Sequence, residues 1–352
     1  MTPASRPFTL SAIGEFGLIR ELQKQCRSLS ASVIQGIGDD AALLRGPSKE
    51  ALIASTDLAI EGVHFDLKFE SLKDVGFRTA VANISDIAAM GGVPTFLLVG
   101  MAVPPSCLVK EVQSLYRGFT EACRKYDIAL IGGDTSSSQS GLFLCVTILG
   151  HVKTKQALRR NGAKIGDRVY VTGTLGDSNA GLRILRRQAK RKTYIAPKWY
   201  EAFLTKRHLR PTPRLAIAQH LSNHGLAHAA MDLSDGLSGD IHHLCQASHV
   251  GVELWADCLP LSRQCQAYAL AQGLDPVDLA VAGGEDYELL FTIPPRHQNT
   301  MSHLSRKFKV PVACIGEIQR ESFGLTLKFE GGISRNIGRH SYDHFSQYRF
   351  KI

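Results

Sequence analysis

The common nucleotide-binding signatures are missing from these 352 residues. No GxxxxGK[ST] loop occurs, and Gly173, Gly176 and Gly181 do not make GxGxxG. Neither a P-loop nor a dinucleotide-type phosphate turn is therefore on offer. The motif set of protein kinases is also lacking. None of the 8 cysteines pairs as CxxC, which removes the usual zinc and thioredoxin-like readings. The apolar runs near 96–103 and 142–150 are shorter than the roughly 20 residues a membrane helix takes, and the first residues lack the basic start and apolar core of a secretory leader. Buried free thiols in a reducing compartment fit best, so a cytoplasmic protein without a membrane partner is expected. Long Gly/Ser or Pro tracts are absent, and with 44% apolar and 21% charged residues the composition is that of a globular chain of about two domains.

The net charge of +9 first suggests nucleic acid. Its location argues otherwise. Of 41 basic and 32 acidic residues, 11 basic and one acidic lie within 183–214, leaving 30 against 31 elsewhere. That segment could be a solvated helix face, the wall of an anion site or a nucleic-acid strip.

Strand-like and helix-like runs alternate, an α/β or α+β pattern. Residues 51–55 read as a strand running into Thr56-Asp57. Residues 74–90 read as a helix with an apolar stripe of Phe77, Val81, Ile84 and Ala88, and with Asn83 and Asp86 on another face. A strand over 96–103 stops at Pro104-Pro105. A helix over 108–126, a strand over 128–131 ending at Gly132-Gly133-Asp134, and a strand over 142–149 complete the first half. Residues 151–167 turn polar and basic, with Asn161-Gly162 and Ile165-Gly166-Asp167 as turn signals; the domain boundary is expected there. Strands over 168–172, 229–231, 252–255 and 287–293 and helices over 178–187, 213–223 and 237–248 are expected beyond it.

What the chain does have is a set of short acidic turns beside small residues, most of them next to an expected strand or helix end: Gly36-Ile37-Gly38-Asp39-Asp40, Ser55-Thr56-Asp57, Ile84-Ser85-Asp86, Gly132-Gly133-Asp134-Thr135, Asp232-Leu233-Ser234-Asp235-Gly236 and Gly283-Gly284-Glu285-Asp286. Small residues let a backbone approach a ligand, turn N–H groups bind anions, and carboxylates with hydroxyls are hard ligands suited to Mg²⁺. Any one segment could be only a helix cap, a β-turn or a solvated acid. Six in one chain point to metal–phosphate chemistry.

In combination these segments carry a resemblance. Gly14-Glu15-Phe16, GIGDDAALL (36–44), STDLAIEGVHF (55–65), VANISDIAAMGG (81–92), LIGGDT (130–135), VTGTLGDS (171–178), RHLRPTPR (207–214), DLSDGL (232–237), GGEDYELLF (283–291) and the terminal GRHSYDHF (338–345) resemble, in order, the thiamine-monophosphate kinase family of the aminoimidazole ribonucleotide synthetase-like superfamily. Residues 1–13 have no match. The resemblance implies a two-domain α/β fold: an N-terminal extension over 1–13, an ATP- and metal-binding domain over 14–152, and a C-terminal α/β domain over 153–352. It implies a homodimer whose N-terminal domains share a β-barrel-like core. It also implies an enzyme that moves the γ-phosphate of ATP onto thiamine monophosphate. Several Mg²⁺ ions would be held by Asp40, Ser55, Thr56, Asp57, Asp86, Asp134, Asp232 and Asp235. ATP would meet Tyr116, Gly133, Asp134, Arg160 and Ser234. His64, Glu285 and Tyr342 would meet thiamine monophosphate, with Glu285 facing the cationic rings.

The chemistry suits such a cradle. ATP and a phosphate monoester are both strongly anionic at neutral pH, and unit charges 4 Å apart repel by ~4 kcal/mol at an effective dielectric of 20. An ionised phosphate acceptor needs no general base, so no catalytic His or Asp of that kind is expected.

His242, His243, Cys245 and His249 share one stretch but have no matching ligand pair elsewhere, so they read as a helix face and not as zinc ligands. A synthetase of the same superfamily is the nearer rival. A selenophosphate synthetase would need a Gly-rich segment with a reactive Cys, whereas Cys26 sits in Lys24-Gln25-Cys26-Arg27. A nucleic-acid module leaves the acidic segments unexplained, and no nucleic-acid partner is expected.

Overall fold

The computed structural model describes residues 15, 17–20, 23, 30–46, 49–190 and 196–337. The first half forms a mixed sheet of β1 (Val33–Gln35), β2 (Ala42–Arg45), β3 (Glu50–Ile60), β4 (Val93–Val103), β5 (Ala129–Ser137) and β6 (Phe143–Lys153), in the order β1-β2-β3-β6-β4-β5. All its pairs are antiparallel except β4 with β5. The strands alternate: on β3, Ala51, Ile53 and Ala59 are buried while Leu52 and Leu58 are exposed.

Helices α1 (Leu72–Ala89) and α2 (Val109–Lys125) belong to this half. The Ser71 hydroxyl accepts from the Asp74 amide and caps α1. Phe77, Val81, Ile84 and Ala88 are all buried, as their spacing predicts. The two helices touch backbone to backbone, because a Cβ on Gly76 would lie 2.2 Å from the Leu115 carbonyl and one on Gly118 2.0 Å from that of Lys73.

The second half forms another mixed sheet: β7 (Arg168–Thr172), β8 (Ala229–Asp232), β9 (Val250–Trp255), β10 (Leu289–Ile293), β11 (Val312–Arg320), β12 (Leu325–Lys328) and β13 (Ser334–Asn336), in the order β13-β12-β9-β11-β7-β10-β8. Only β12 with β9 is parallel. Central β10 is buried along its whole length and reads as an unbroken apolar run apart from Thr292. The helices are α3 (Asp177–Ala189), α4 (Glu201–Leu209), α5 (Leu215–Asn223), α6 (Leu237–Ser248), α7 (Arg263–Gln272), α8 (Pro276–Ala282) and α9 (Gln298–Phe308). The halves meet along α1, whose Ala88 shares a core cluster with Leu158, Ala218 and Leu221.

Two expected turns are strand interior. β3 runs straight through Thr56-Asp57, and β5 continues through Gly132-Gly133-Asp134 to Ser137. Pairing with β6 and β4 keeps these polar residues in the strands. Helix α4 lies in the basic segment, where a helix face is one of three readings and no helix is bounded over Glu201–Leu209. The first sheet is open, with β1 and β5 at its edges, and no closed barrel forms among the described residues. Their cysteines are free, and no described helix is long and apolar enough to cross a membrane.

Candidate active site

Three carboxylates converge between the two halves. Asp40 comes from the turn before β2, Asp86 from the last turn of α1 and Asp232 from the end of β8. Their oxygens lie within 4.8 Å of one another. Ser55 on β3 donates to Asp86 Oδ2 at 2.5 Å, with the Asp40 carbonyl 3.3 Å from the same hydroxyl. Asp57, two residues along the strand on the same face, is near enough to repel Asp86.

Burial, with repulsion between neighbours, pushes Asp57, Asp86 and Asp232 up. Asp232 rises to about 8 through burial and then the charge of Asp40. Asp57 rises to about 6 through burial. Asp86 stands well above the usual carboxylate range, for burial first and Asp57 and Asp232 next. Such a group wants cations. Asp232 Oδ2 is buried without a hydrogen-bond partner. An orphaned carboxylate oxygen amid hard oxygen donors fits Mg²⁺.

The Asp235 turn is held by a carboxylate that the sequence reading missed. Asp240 on α6, buried, accepts from the amides of Asp235 and Gly236 at 3.2 and 3.1 Å. The Ser234 carbonyl accepts from the Glu285 amide at 2.7 Å, which ties the 232–236 turn to the 283–288 segment. In that segment Glu285 and Tyr287 have φ of 63° and 50°, a left-handed backbone that non-glycine residues adopt mainly where surroundings enforce it. Asp286, between them, accepts from the amides of Gly176 and Ser178 at the start of α3.

Arg78, buried on α1, donates to both oxygens of Glu285 at 2.9 Å, to Glu70 at 2.7 Å and to the His64 carbonyl at 2.8 Å. Its Nη1 also lies 3.2 Å from His208 Nε2. His64 Nδ1 accepts from the Ile60 amide, so the neutral ring carries its proton on Nε2.

The chain matches the N-terminal domain of AIR synthase related proteins over 38–152 and their C-terminal domain over 164–328. It is 38% identical to the thiamine-monophosphate kinase of Escherichia coli K12 over 340 residues, 95% of this chain and 99% of that one. The chain belongs to the thiamine-monophosphate kinase family.

The solved kinases share its fold. AaThiL complexed with AMPPCP and TMP superposes with a TM-score of 0.83 at 34% identity, over 97% of this chain and 100% of that chain. The thiamine-monophosphate kinase from Stenotrophomonas maltophilia K279a gives 0.72 at 35%, over 90% and 97%.

Not every residue that the family resemblance named is gathered here. The Thr56 side chain lies on the opposite face of β3 from Ser55 and Asp57, bonded to the Val146 carbonyl and beside Thr147 Oγ1 at 3.0 Å. Asp134 is exposed on edge strand β5, in the lateral row Leu58–Cys145–Gly100–Asp134. Gly133 beside it needs to be glycine, since a Cβ would fall 1.9 Å from the Val99 carbonyl. Tyr116 on α2 lines a shallow groove with Cys107, Val109, Val112 and Gln113. Arg160 reaches the carboxylates directly through Asp40. Tyr342 lies outside the described residues.

Four arginines of the basic segment are engaged in ion pairs. Arg207 and Arg214 both bind Glu288, whose side chain is 0% exposed, Arg210 binds Asp74 and Glu121, and Arg187 binds Glu201. The acids of GGEDYEL and the arginines of RHLRPTPR thus answer one another, a complementarity visible in the sequence but not read there. Arg78 also had a signal: a lone cation inside an apolar helix. His249 closes α6 in a left-handed conformation, and Cys245 is buried in the core.

Proposed function

We propose that this chain transfers the γ-phosphoryl group of ATP in line to thiamine monophosphate, giving thiamine diphosphate, with several Mg²⁺ ions. The buried group of Asp40, Asp86 and Asp232 carries this reading, and the names of its relatives support the substrates. Asp40, Asp57, Asp86, Asp232 and Asp235 would hold the cations, with Ser55 fixing Asp86, whereas Asp134 stands in the row of Leu58 on the other face of the sheet and is left out of the cradle. When bound, the ions supply neutralising charge for two anionic reactants.

The protein orients the partners. Ser234, Gly133, Tyr116 and Arg160 would meet the nucleotide. His64 and Glu285 would meet the other substrate, with Tyr342 completing that side. The acceptor phosphate is already ionised at neutral pH, so no protein base is needed.

A homodimer is part of the proposal. The outer face of the first sheet exposes Leu52, Leu58, Phe96 and Ile131, and an apolar face of that kind suits burial against a second copy, closing a barrel-like core. The free thiols support work in the reducing cytoplasm.

The test is one assay with ATP, Mg²⁺ and purified protein, given either thiamine monophosphate or thiamine. Thiamine diphosphate formed from the monophosphate alone supports the reading; no product from either refutes it.

A further inference from the structure

Arg78 spends both terminal nitrogens of its guanidinium on one task. Nη1 serves Glu285, with His208 Nε2 alongside, and Nη2 serves Glu70 and the His64 carbonyl. These partners come from both halves of the chain. Its own side chain is 6% exposed and that of Glu285 29%. The arginine is therefore too deep to touch a ligand, while the carboxylate it grips opens toward one.

Two features set this apart from an ordinary interdomain ion pair such as Arg210–Asp74. First, two of the three residues assigned to thiamine monophosphate, Glu285 and His64, hang on the same side chain, one by its carboxylate and one by its backbone. Second, one cation faces two carboxylates. Buried Glu70 shares the guanidinium, so the more exposed Glu285 is not neutralised by it alone and can face a cationic ring system. His208 locks the arrangement from behind, since its Nδ1 lies 3.0 Å from Ser178 Oγ, leaving Nε2 to accept from Arg78.

We propose that Arg78 is a positioning residue that fixes Glu285 and the His64 turn at the spacing needed to receive the cationic portion of thiamine monophosphate. The inference rests on the assignment of those two residues to that substrate. It does not concern the nucleotide, whose expected partners Arg78 does not contact.

The test is steady-state kinetics on the full chain. Arg78→Met should raise KM for thiamine monophosphate about tenfold or more, as small displacements of positioning groups do, and leave KM for ATP within about twofold. Arg78→Lys, which keeps the charge, should recover most of the loss. If Arg78→Met does not fold, Glu70→Gln/Arg78→Met removes the carboxylate stranded by the first change and is read in the same way. Both KM values rising together, or neither moving in a folded variant, would overturn the proposal. Glu285→Ala is measured alongside. If it leaves KM for thiamine monophosphate unchanged, the assignment of Glu285 fails. If it raises that KM and Arg78→Met does not, only the positioning role fails.

Discussion

Arg160 grips Asp40 by two edges, Nε to Oδ2 at 3.1 Å and Nη2 to Oδ1 at 2.7 Å. The pair joins the two halves, and it places a cation on one of the carboxylates expected to hold metal. Arg160 and Mg²⁺ therefore compete for Asp40 in the absence of nucleotide. Arg160→Gln should lower the Mg²⁺ concentration that half-saturates the thermal shift. It should also raise KM for ATP, by about ten- to a hundredfold if a charge-assisted contact is lost. Thermal-shift titration and kinetics read these opposite signs. A rise in both would place Arg160 in metal retention instead.

Asp57→Asn should reduce turnover by about a hundredfold or more, in line with loss of a transition-state charge stabiliser. The fold should not suffer. One charge fewer in a crowded carboxylate group leaves the metal-free Tm equal or higher. Near-normal turnover would remove Asp57 from the metal cradle.

The carboxylates give the metal-free protein a defined pH response. Asp57 and Asp232 rise to about 6 and about 8 in the folded state, above the range in which an unfolded chain binds those protons. The folded state thus takes up protons first, and stability increases as pH falls from 8. Buried His208, held well below 6.5, works the other way once the unfolded chain begins to protonate its histidine. Tm without metal should therefore rise between pH 8 and about 6.5. The increment from added Mg²⁺ should shrink over the same window, because protons and cations relieve one repulsion. A metal-free Tm that falls across this range would contradict the reading.

Glu288→Gln is a stability prediction away from the reacting groups. Glu288 is fully buried and receives Arg207, Arg214 and the Thr172 hydroxyl. Its neutralisation takes the charge partner from largely buried Arg214 and leaves Arg207 only Asp177, at a cost of about 3–5 kcal/mol. Urea unfolding should show a lower midpoint. A shift below about 1 kcal/mol would mean that the arginines find other partners.

Local periodicity made much of this fold legible. The stripe of Phe77, Val81, Ile84 and Ala88 placed α1 because packing rewards one face of a helix, and the apolar run through Phe291 placed β10. The Ser55-Thr56-Asp57 segment was harder. Serine and aspartate are turn formers by local chemistry, and only pairing with the neighbouring β6 shows that they are strand residues. That pairing also separates Thr56 from the residues on either side, which motif proximity had grouped together. Arg78 and Glu288 depend on partners far along the chain, so their roles emerge only when those segments are folded together, whereas Asp240 acts on amides only four and five residues away.

β3 carries hydroxyl and carboxylate toward the metal cradle and threonine and leucine away from it, on alternate residues. Substitutions along it can be compensated one at a time. A single-residue insertion or deletion between Ser55 and Leu58 cannot, for it would turn Leu58 into the acidic cluster or Asp57 onto the apolar outer face. The strand should therefore tolerate changes of side chain on its outer face while admitting no change of length.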